Sequence, residues 1–247
     1  MKTTLLIGAL TLAGAWFAAA GQPLPADTIP AAEGPIQVFP INHATFVLQH
    51  GGRTIYVDPV GGEKAFAGFA KPGLILVTHI HGDHFSTETL TAVAGPDTKL
   101  VAPPSVAEQL PANLKERTTV LKNGESGEVT GVRIQAIPAY NTTPERLKFH
   151  PKGRDNGYVV SLGGKRIYIS GDTEDIPEMR ALKDIAAAFV CMNLPYTMTP
   201  EQAAGAVREF KPAVVYPYHS RGTDLESFKA KVGADSGTEV RLLSWYK

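Results

Sequence analysis

Six residues, His79-Ile80-His81-Gly82-Asp83-His84, constrain this chain more than any other stretch. They follow Leu74-Ile75-Leu76-Val77, an apolar run of the kind that forms a buried strand. Three of the chain's seven histidines lie in this hexapeptide. Composition alone would give H-x-H-x-D-H with a probability on the order of 10⁻⁴. A strand that ends in four side chains of metal-ligand type is a rigid element delivering donors to one place. An extended His79-x-His81 pair can turn both rings toward one ion, and Asp83 and His84 can face a second.

The N-terminus reads differently from the rest. Met1-Lys2 is a positive start, Thr3 to Phe17 carries no charge, and Ala18-Ala19-Ala20 is an A-x-A pattern before Gly21. Residues 1–20 therefore read as a secretory signal peptide, with an uncleaved anchor as the competing reading. An exported location, periplasmic or secreted, follows, with no stable membrane span after cleavage. Residues 21–34 are rich in Pro and Ala and read as a flexible lead-in, leaving 35–247 as one domain large enough for a sizeable core. Lys+Arg and Asp+Glu both number 24, and this balance argues against nucleic acid as a partner. Cys191 is the single cysteine, so no internal disulfide forms, and its apolar surroundings read as those of a buried structural thiol.

Strands are expected at 36–39, 44–48, 54–57, 99–102, 118–121, 132–137, 157–162, 166–170, 187–192, 214–218 and 240–244. Helices are expected after a cap at Ser86 or Thr87, over 104–110, after a Thr199–Gln202 capping box and after a second box at Thr223–Glu226. Residues 60–73 read as a long loop, with Phe66 and Phe69 as an apolar lid. His50, next to Gly51, reads as a hairpin residue. The chain also repeats itself. Gly51-Gly52-Arg53-Thr54-Ile55-Tyr56-Val57 resembles Gly163-Gly164-Lys165-Arg166-Ile167-Tyr168-Ile169, and an aspartate, Asp58 or Asp172, follows each hairpin. A repeated hairpin fits a domain of two similar halves with a site between them.

Further donors must come from distant segments. His150, Asp172 after the strand Ile167–Ile169, and His219 after the strand Val214–Tyr218 are the candidates. The order H-x-H-x-D-H, a later His, G-D-T after a strand and Y-x-H after a strand resembles the metallo-β-lactamase superfamily from about Ile36 to Tyr246. Asn42-His43-Ala44-Thr45-Phe46 and Tyr56-Val57-Asp58-Pro59 look like the branch containing ascorbate-6-phosphate lactonases and N-acyl-phosphatidylethanolamine phospholipase D. The resemblance implies an α+β fold, a four-layer αβ/βα sandwich of two mixed sheets with flanking helices. It implies two divalent metal ions, zinc first, with manganese or iron as alternatives. His79, His81 and a third histidine would hold one. Asp83, His84 and His219 would hold the other, and Asp172 would bridge them. The strand ending at Pro138 is followed by Ala139-Tyr140-Asn141 without the histidine that the family often carries there. His150 is then the candidate, against the reading of an exposed loop residue.

The implied activity is that of an exported metal-dependent hydrolase. Two cations sharing a water supply hydroxide at neutral pH for attack on an ester, lactone or phosphodiester. Asp83 is the candidate for holding or accepting the proton. His43 is expected to contact substrate, against the reading of a hydrogen-bonded core histidine. Asp58 is expected to orient a ligand histidine. Arg146, Lys148, Lys152 and Arg154 crowd around His150 and would suit an anionic group on a small-molecule substrate, while a solvated loop is the competing reading. Tyr140, Tyr196 and Tyr218 are candidate hydrogen-bond donors to substrate. Two alternatives remain at this level: a mononuclear iron enzyme of redox or sulfur chemistry, and a ligand-binding protein without turnover. The full set Asp83, His84 and His219 speaks against the iron reading.

Overall fold

The computed structural model describes residues 23–246; the expected signal peptide at 1–20 lies outside them. The chain forms two seven-stranded sheets, each used up before the next begins. The first holds β1 (Asp27–Ile29), β2 (Ile36–Asn42), β3 (Thr45–His50), β4 (Arg53–Val57), β5 (Leu74–Leu76), β6 (Lys99–Ala102) and β7 (Thr118–Val120), in that order across the sheet. The second holds β8 (Ser126–Val129), β9 (Val132–Ala139), β10 (Asp155–Leu162), β11 (Lys165–Ile169), β12 (Ile185–Cys191), β13 (Val214–Tyr218) and β14 (Glu239–Val240), again in chain order. In each sheet the first four strands are antiparallel and the last three join in parallel. Short turns suffice for antiparallel neighbours, whereas parallel neighbours need crossovers, and those crossovers carry most of the helices.

The repeated Gly-Gly hairpins occupy equivalent places, between the third and fourth strands of each sheet. Gly51, Gly52, Gly163 and Gly164 all have positive φ, as a two-residue turn demands. The two hairpins also meet: a Cβ on Gly163 would stand 2.5 Å from His50 Nε2. His50 is buried there, its Nε2 2.8 Å from the carbonyl of Ala32.

Strand periodicity builds the layers. Phe46, Leu48, Ile55, Val57, Leu74 and Leu76 face the second sheet's Ile134, Tyr158, Val160 and Ile169 in one core. The alternate residues Val47, Tyr56 and Ile75 face outward and pack under α1 (Thr87–Val93), α2 (Pro104–Ala107) and α3 (Ala112–Lys115) through Leu90, Val106 and Leu114. On the far side, α4 (Pro177–Arg180), α5 (Pro200–Phe210) and α6 (Leu225–Val232) add Met179, Val207 and Phe228 to the larger core. The result is helix, sheet, sheet, helix. Each large apolar side chain buried this way contributes about 1.5–3 kcal/mol.

Several boundaries differ from expectation. The lead-in joins the fold early, since β1 pairs with β2 from Asp27. Ser86 caps α1 by accepting from the Thr89 N–H, and Thr199 and Gln202 close their capping box. Asp224, not Thr223, caps α6, because its carboxylate reaches the Ser227 N–H. The last strand is only two residues; the tail then leaves the sheet. Phe66 and Phe69 form no lid: Phe66 stacks on Tyr56 at 4.5 Å, and Phe69 meets Phe39 edge-on at 5.1 Å, both on the outer face of the first sheet.

Candidate metal centre

The site lies where β5, β11 and β13 end and where the loop after β9 returns. His79, His81 and His150 bring a ring nitrogen each within 4.8 Å of one another, and His79, His84 and Asp172 do the same with two ring nitrogens and a carboxylate oxygen. Asp172 is central. Its Oδ2 is 3.4 Å from His150 Nε2, 3.4 Å from His219 Nε2 and 3.9 Å from His79 Nε2, and its Oδ1 is 3.3 Å from His84 Nε2. Asp83 Oδ2 completes the second half of the site at 3.2 Å from His219 Nε2. Gly171 makes the turn into Asp172 with φ of 60°, and a Cβ there would stand 2.8 Å from the carbonyl of Asn156. His43, Asp58 and His219 also sit in the left-handed region, which concentrates backbone strain around the site.

Carboxylates behind the histidines fix the rings. Asp58 Oδ2 is 2.7 Å from His84 Nδ1 and also accepts from the Thr78 hydroxyl at 2.7 Å. That hydroxyl lies 3.0 Å from His79 Nδ1, so one buried aspartate governs two rings. Asp155 Oδ2 stands 3.3 Å from His150 Nδ1. With Nδ1 engaged, Nε2 is the atom left to face the centre.

The donor set fits divalent cations. His79 Nε2, His84 Nε2 and Asp172 Oδ1 are buried and make no hydrogen bond, although they converge. Buried polar atoms normally find a partner, and a cation between these would satisfy all three. Burial, reinforced by His84, holds His79 well below its usual pKa and so keeps its lone pair free. Burial works against protonation of His84, but Asp172 and Asp58 outweigh it and raise its pKa well above normal. Burial would raise Asp172, but His219 and His84 hold it far below the usual carboxylate range. Burial opposes ionisation of Asp83 too, and the bonds from His219 and His43 overcome it.

A cleft of about 390 Å³ opens over the centre, floored by His81, Asp83, His150, Asp172 and His219 and walled by Phe149, Asn193 and Tyr196. The seven residues predicted as ligands all meet here, His150 included, which is buried rather than exposed. Of the residues predicted to bind substrate, only Tyr196 lines the cleft, edge-on to Phe149 at 5.0 Å. The Tyr140 hydroxyl donates to Glu178 at 3.0 Å, away from the cleft. Tyr218 is fully buried between Phe46, Phe189 and Trp245. Arg146 is tied to Glu174 at 2.6 Å. The two arginines of the predicted cationic cluster are thus paired within the protein, Arg154 with Asp155 at 2.7 Å, while the exposed Lys152, 4.0 Å from Glu178, and Lys148, 5.0 Å over the Phe149 ring, keep their charge.

Three residues went unpredicted. Asp155 orients His150. Glu174, fully buried, accepts from the N–H groups of Thr142 and Thr143, the Thr142 hydroxyl and Arg146, and so clamps the loop that carries His150. Hydrogen bonds from Thr142 and Thr143 outweigh the burial that opposes its ionisation and bring its pKa down to about 2. Tyr246 reaches His43 from the far end of the chain, with its hydroxyl 2.8 Å from Nδ1. Only the G-D-T-E run hinted at Glu174; the other two carry no local signal.

Residues 37–219 match the profile of the beta-lactamase superfamily domain. A metal-dependent hydrolase of Thermococcus onnurineus is 34% identical over 208 residues, covering 78% of this chain and 90% of the relative. The crystal structure of a metal-dependent hydrolase from Parabacteroides distasonis superposes with a TM-score of 0.81 at 41% identity, over 90% of this chain and 98% of that one. Igni18, a metallo hydrolase of Ignicoccus hospitalis, shares the fold with a TM-score of 0.70 at 22% identity, over 86% of this chain and 96% of its own. With its two mixed sheets, flanking helices and clustered His/Asp donors, the chain belongs to the metallo-β-lactamase superfamily.

Proposed function

We propose that the chain is a metal-dependent hydrolase with a dinuclear centre, acting on a small, neutral ester or lactone. The convergence of His79, His81, His150, Asp83, His84 and His219 around Asp172, with buried donors left unsatisfied, carries this reading. His79, His81 and His150 would hold one cation and Asp83, His84 and His219 the other, with Asp172 between. Zinc suits an imidazole-rich set, and manganese or iron are the alternatives. Bound cations supply Lewis acidity and lower the pKa of a water so that it can attack a carbonyl.

The chain's own residues do the rest. Asp83, the most open of the carboxylates at 47% side-chain exposure, faces the cleft and can hold the attacking water's proton. His43 braces Asp83 at 3.2 Å. Phe149 and Tyr196 give the cleft an apolar wall, and Asn193 offers an amide. The engagement of Arg146 by Glu174 and of Arg154 by Asp155 supports an uncharged substrate over a phosphodiester, and the cleft volume supports a small one. The leader at 1–20 supports export, which sequencing of the mature N-terminus tests: a start at Gly21 is expected.

Metal analysis with a hydrolase panel tests the whole reading. About two zinc or manganese ions per chain are expected, with esters and lactones cleaved ahead of phosphodiesters. One iron per chain without hydrolysis would sink it.

A further inference from the structure

His43 is grouped with Asp83 and His219 as a possible ligand set, its ring 3.8 Å from that of His219. Its other nitrogen decides whether it can serve. Nδ1 lies 2.8 Å from the Tyr246 hydroxyl, and Nε2 lies 3.2 Å from Asp83 Oδ2. The same hydroxyl accepts from the Ser220 N–H at 2.7 Å. With a lone pair so engaged, the Tyr246 O–H proton is free to point at His43 Nδ1. That leaves the ring proton on Nε2, donated to the Asp83 carboxylate. The opposite tautomer would set the Nε2 lone pair against a carboxylate oxygen, which is repulsive.

Tyr246 is held there firmly. Trp245 is buried among Phe46, Phe189 and Tyr218 and anchors the tail. The His43 N–H donates to the Trp245 carbonyl at 3.1 Å, and the His219 N–H donates to the His43 carbonyl at 3.1 Å. Arg221 caps the Tyr246 ring at 5.0 Å. The superfamily profile ends at residue 219, so this tail lies beyond the matched segment.

We infer that Tyr246 is a positioning residue that caps His43 Nδ1 in the tautomer the Asp83 carboxylate demands, making His43 a hydrogen-bond donor that aims Asp83 rather than a metal ligand. The inference rests on the cleft being the hydrolytic site for its kinetic consequence, but the tautomer itself does not. Nitrogen-15 imidazole spectra of the full chain, before and after zinc loading, test the tautomer directly. The expected result is protonated Nε2 and unprotonated Nδ1 in both states, with Tyr246→Phe keeping that tautomer but shifting the Nδ1 resonance as its hydrogen bond is lost. The kinetic arm uses p-nitrophenyl butyrate with zinc-loaded protein. Tyr246→Phe, which keeps the ring under Arg221 and so the fold, should lower kcat about tenfold at unchanged KM. His43→Gln, whose amide can accept from Tyr246 and donate to Asp83, should recover most of what His43→Ala loses. A protonated Nδ1, or a His43 Nε2 resonance that takes on the shift of a zinc-bound nitrogen, would overturn the inference. So would a Tyr246→Phe protein with unaltered spectra and kcat. Absence of all hydrolysis with the expected tautomer would count against the hydrolase reading and leave the tautomer assignment standing.

Discussion

The two halves of the metal centre share Asp172 but are braced differently. His84 leans on Asp58, fully buried, 2.7 Å away and, among the described residues, paired with no lysine or arginine. His150 leans on Asp155, which stands 3.3 Å away and gives both oxygens to Arg154. The His84 half also contains Asp83, whereas the His81 half has a guanidinium 3.4 Å from a ring nitrogen. One half is thus anionic and tightly braced, while the other is neutral imidazole beside a cation. The difference teaches that equivalent ligand counts need not give equivalent sites. The His84 half should bind a divalent cation more tightly, because carboxylates attract it and a close brace that carries no guanidinium keeps the ring aimed.

The shared residue gives the largest effect. Asp172→Ala should abolish hydrolysis and empty both halves, while His79→Ala and His84→Ala should each empty mainly their own; metal analysis beside activity reads this. An Asp172→Ala protein that keeps both cations would mean the halves are independent. The braces come next. Asp58→Ala should cost about 100-fold in metal affinity or rate and Asp155→Ala about 10-fold. Equal losses, measured by competition with a chelator, would remove the asymmetry.

Most of this centre could be read from sequence, and the reason is local geometry. His79, His81, Asp83 and His84 sit at one strand end, and Asp172 and His219 directly follow strands, so each reveals itself by its position. The hairpin repeat exposed the two-sheet plan because a two-glycine turn needs positive φ wherever it occurs. What failed to show depended on register and on chain returns. Tyr218 looked like a donor beside the site because it precedes His219, yet strand alternation turns its ring into the core. The cations near His150 looked free until the fold brought Glu174 and Asp155 against them. Tyr246 meets His43 across 203 positions, and no local pattern encodes such a contact.

Glu174 sharpens the comparison from the loop side. It holds only the half that contains His150, so Glu174→Ala should loosen that half selectively. Removing Glu174 leaves the Thr142 and Thr143 donors without their acceptor, while Arg146 keeps the Thr197 carbonyl and the Gln202 amide oxygen, at a cost of about 3 kcal/mol. A lowered unfolding temperature, together with weaker metal retention at the His81 half, is expected. Equal metal loss from both halves would show that the clamp acts on the fold as a whole.

The smallest effect separates the halves by pH. In metal-free protein the His84 pKa is raised while those of His79 and His81 are lowered. The raised group lends stability that is fully present below its unfolded pKa, about 6.5. That contribution disappears as pH climbs through the folded value. A metal ion would take the place of the Nε2 proton between His84 and Asp172, leaving the Nδ1 bond to Asp58 intact, so loading should flatten this dependence. Thermal unfolding from neutral to mildly alkaline pH, with and without zinc, should show the slope only in the metal-free chain. His84→Gln should abolish the slope and His79→Gln should leave it, since the His79 pKa already lies below the window. A slope that survives His84→Gln would place the responsible proton elsewhere and would weaken the case that the Asp58-braced half is the more anionic one.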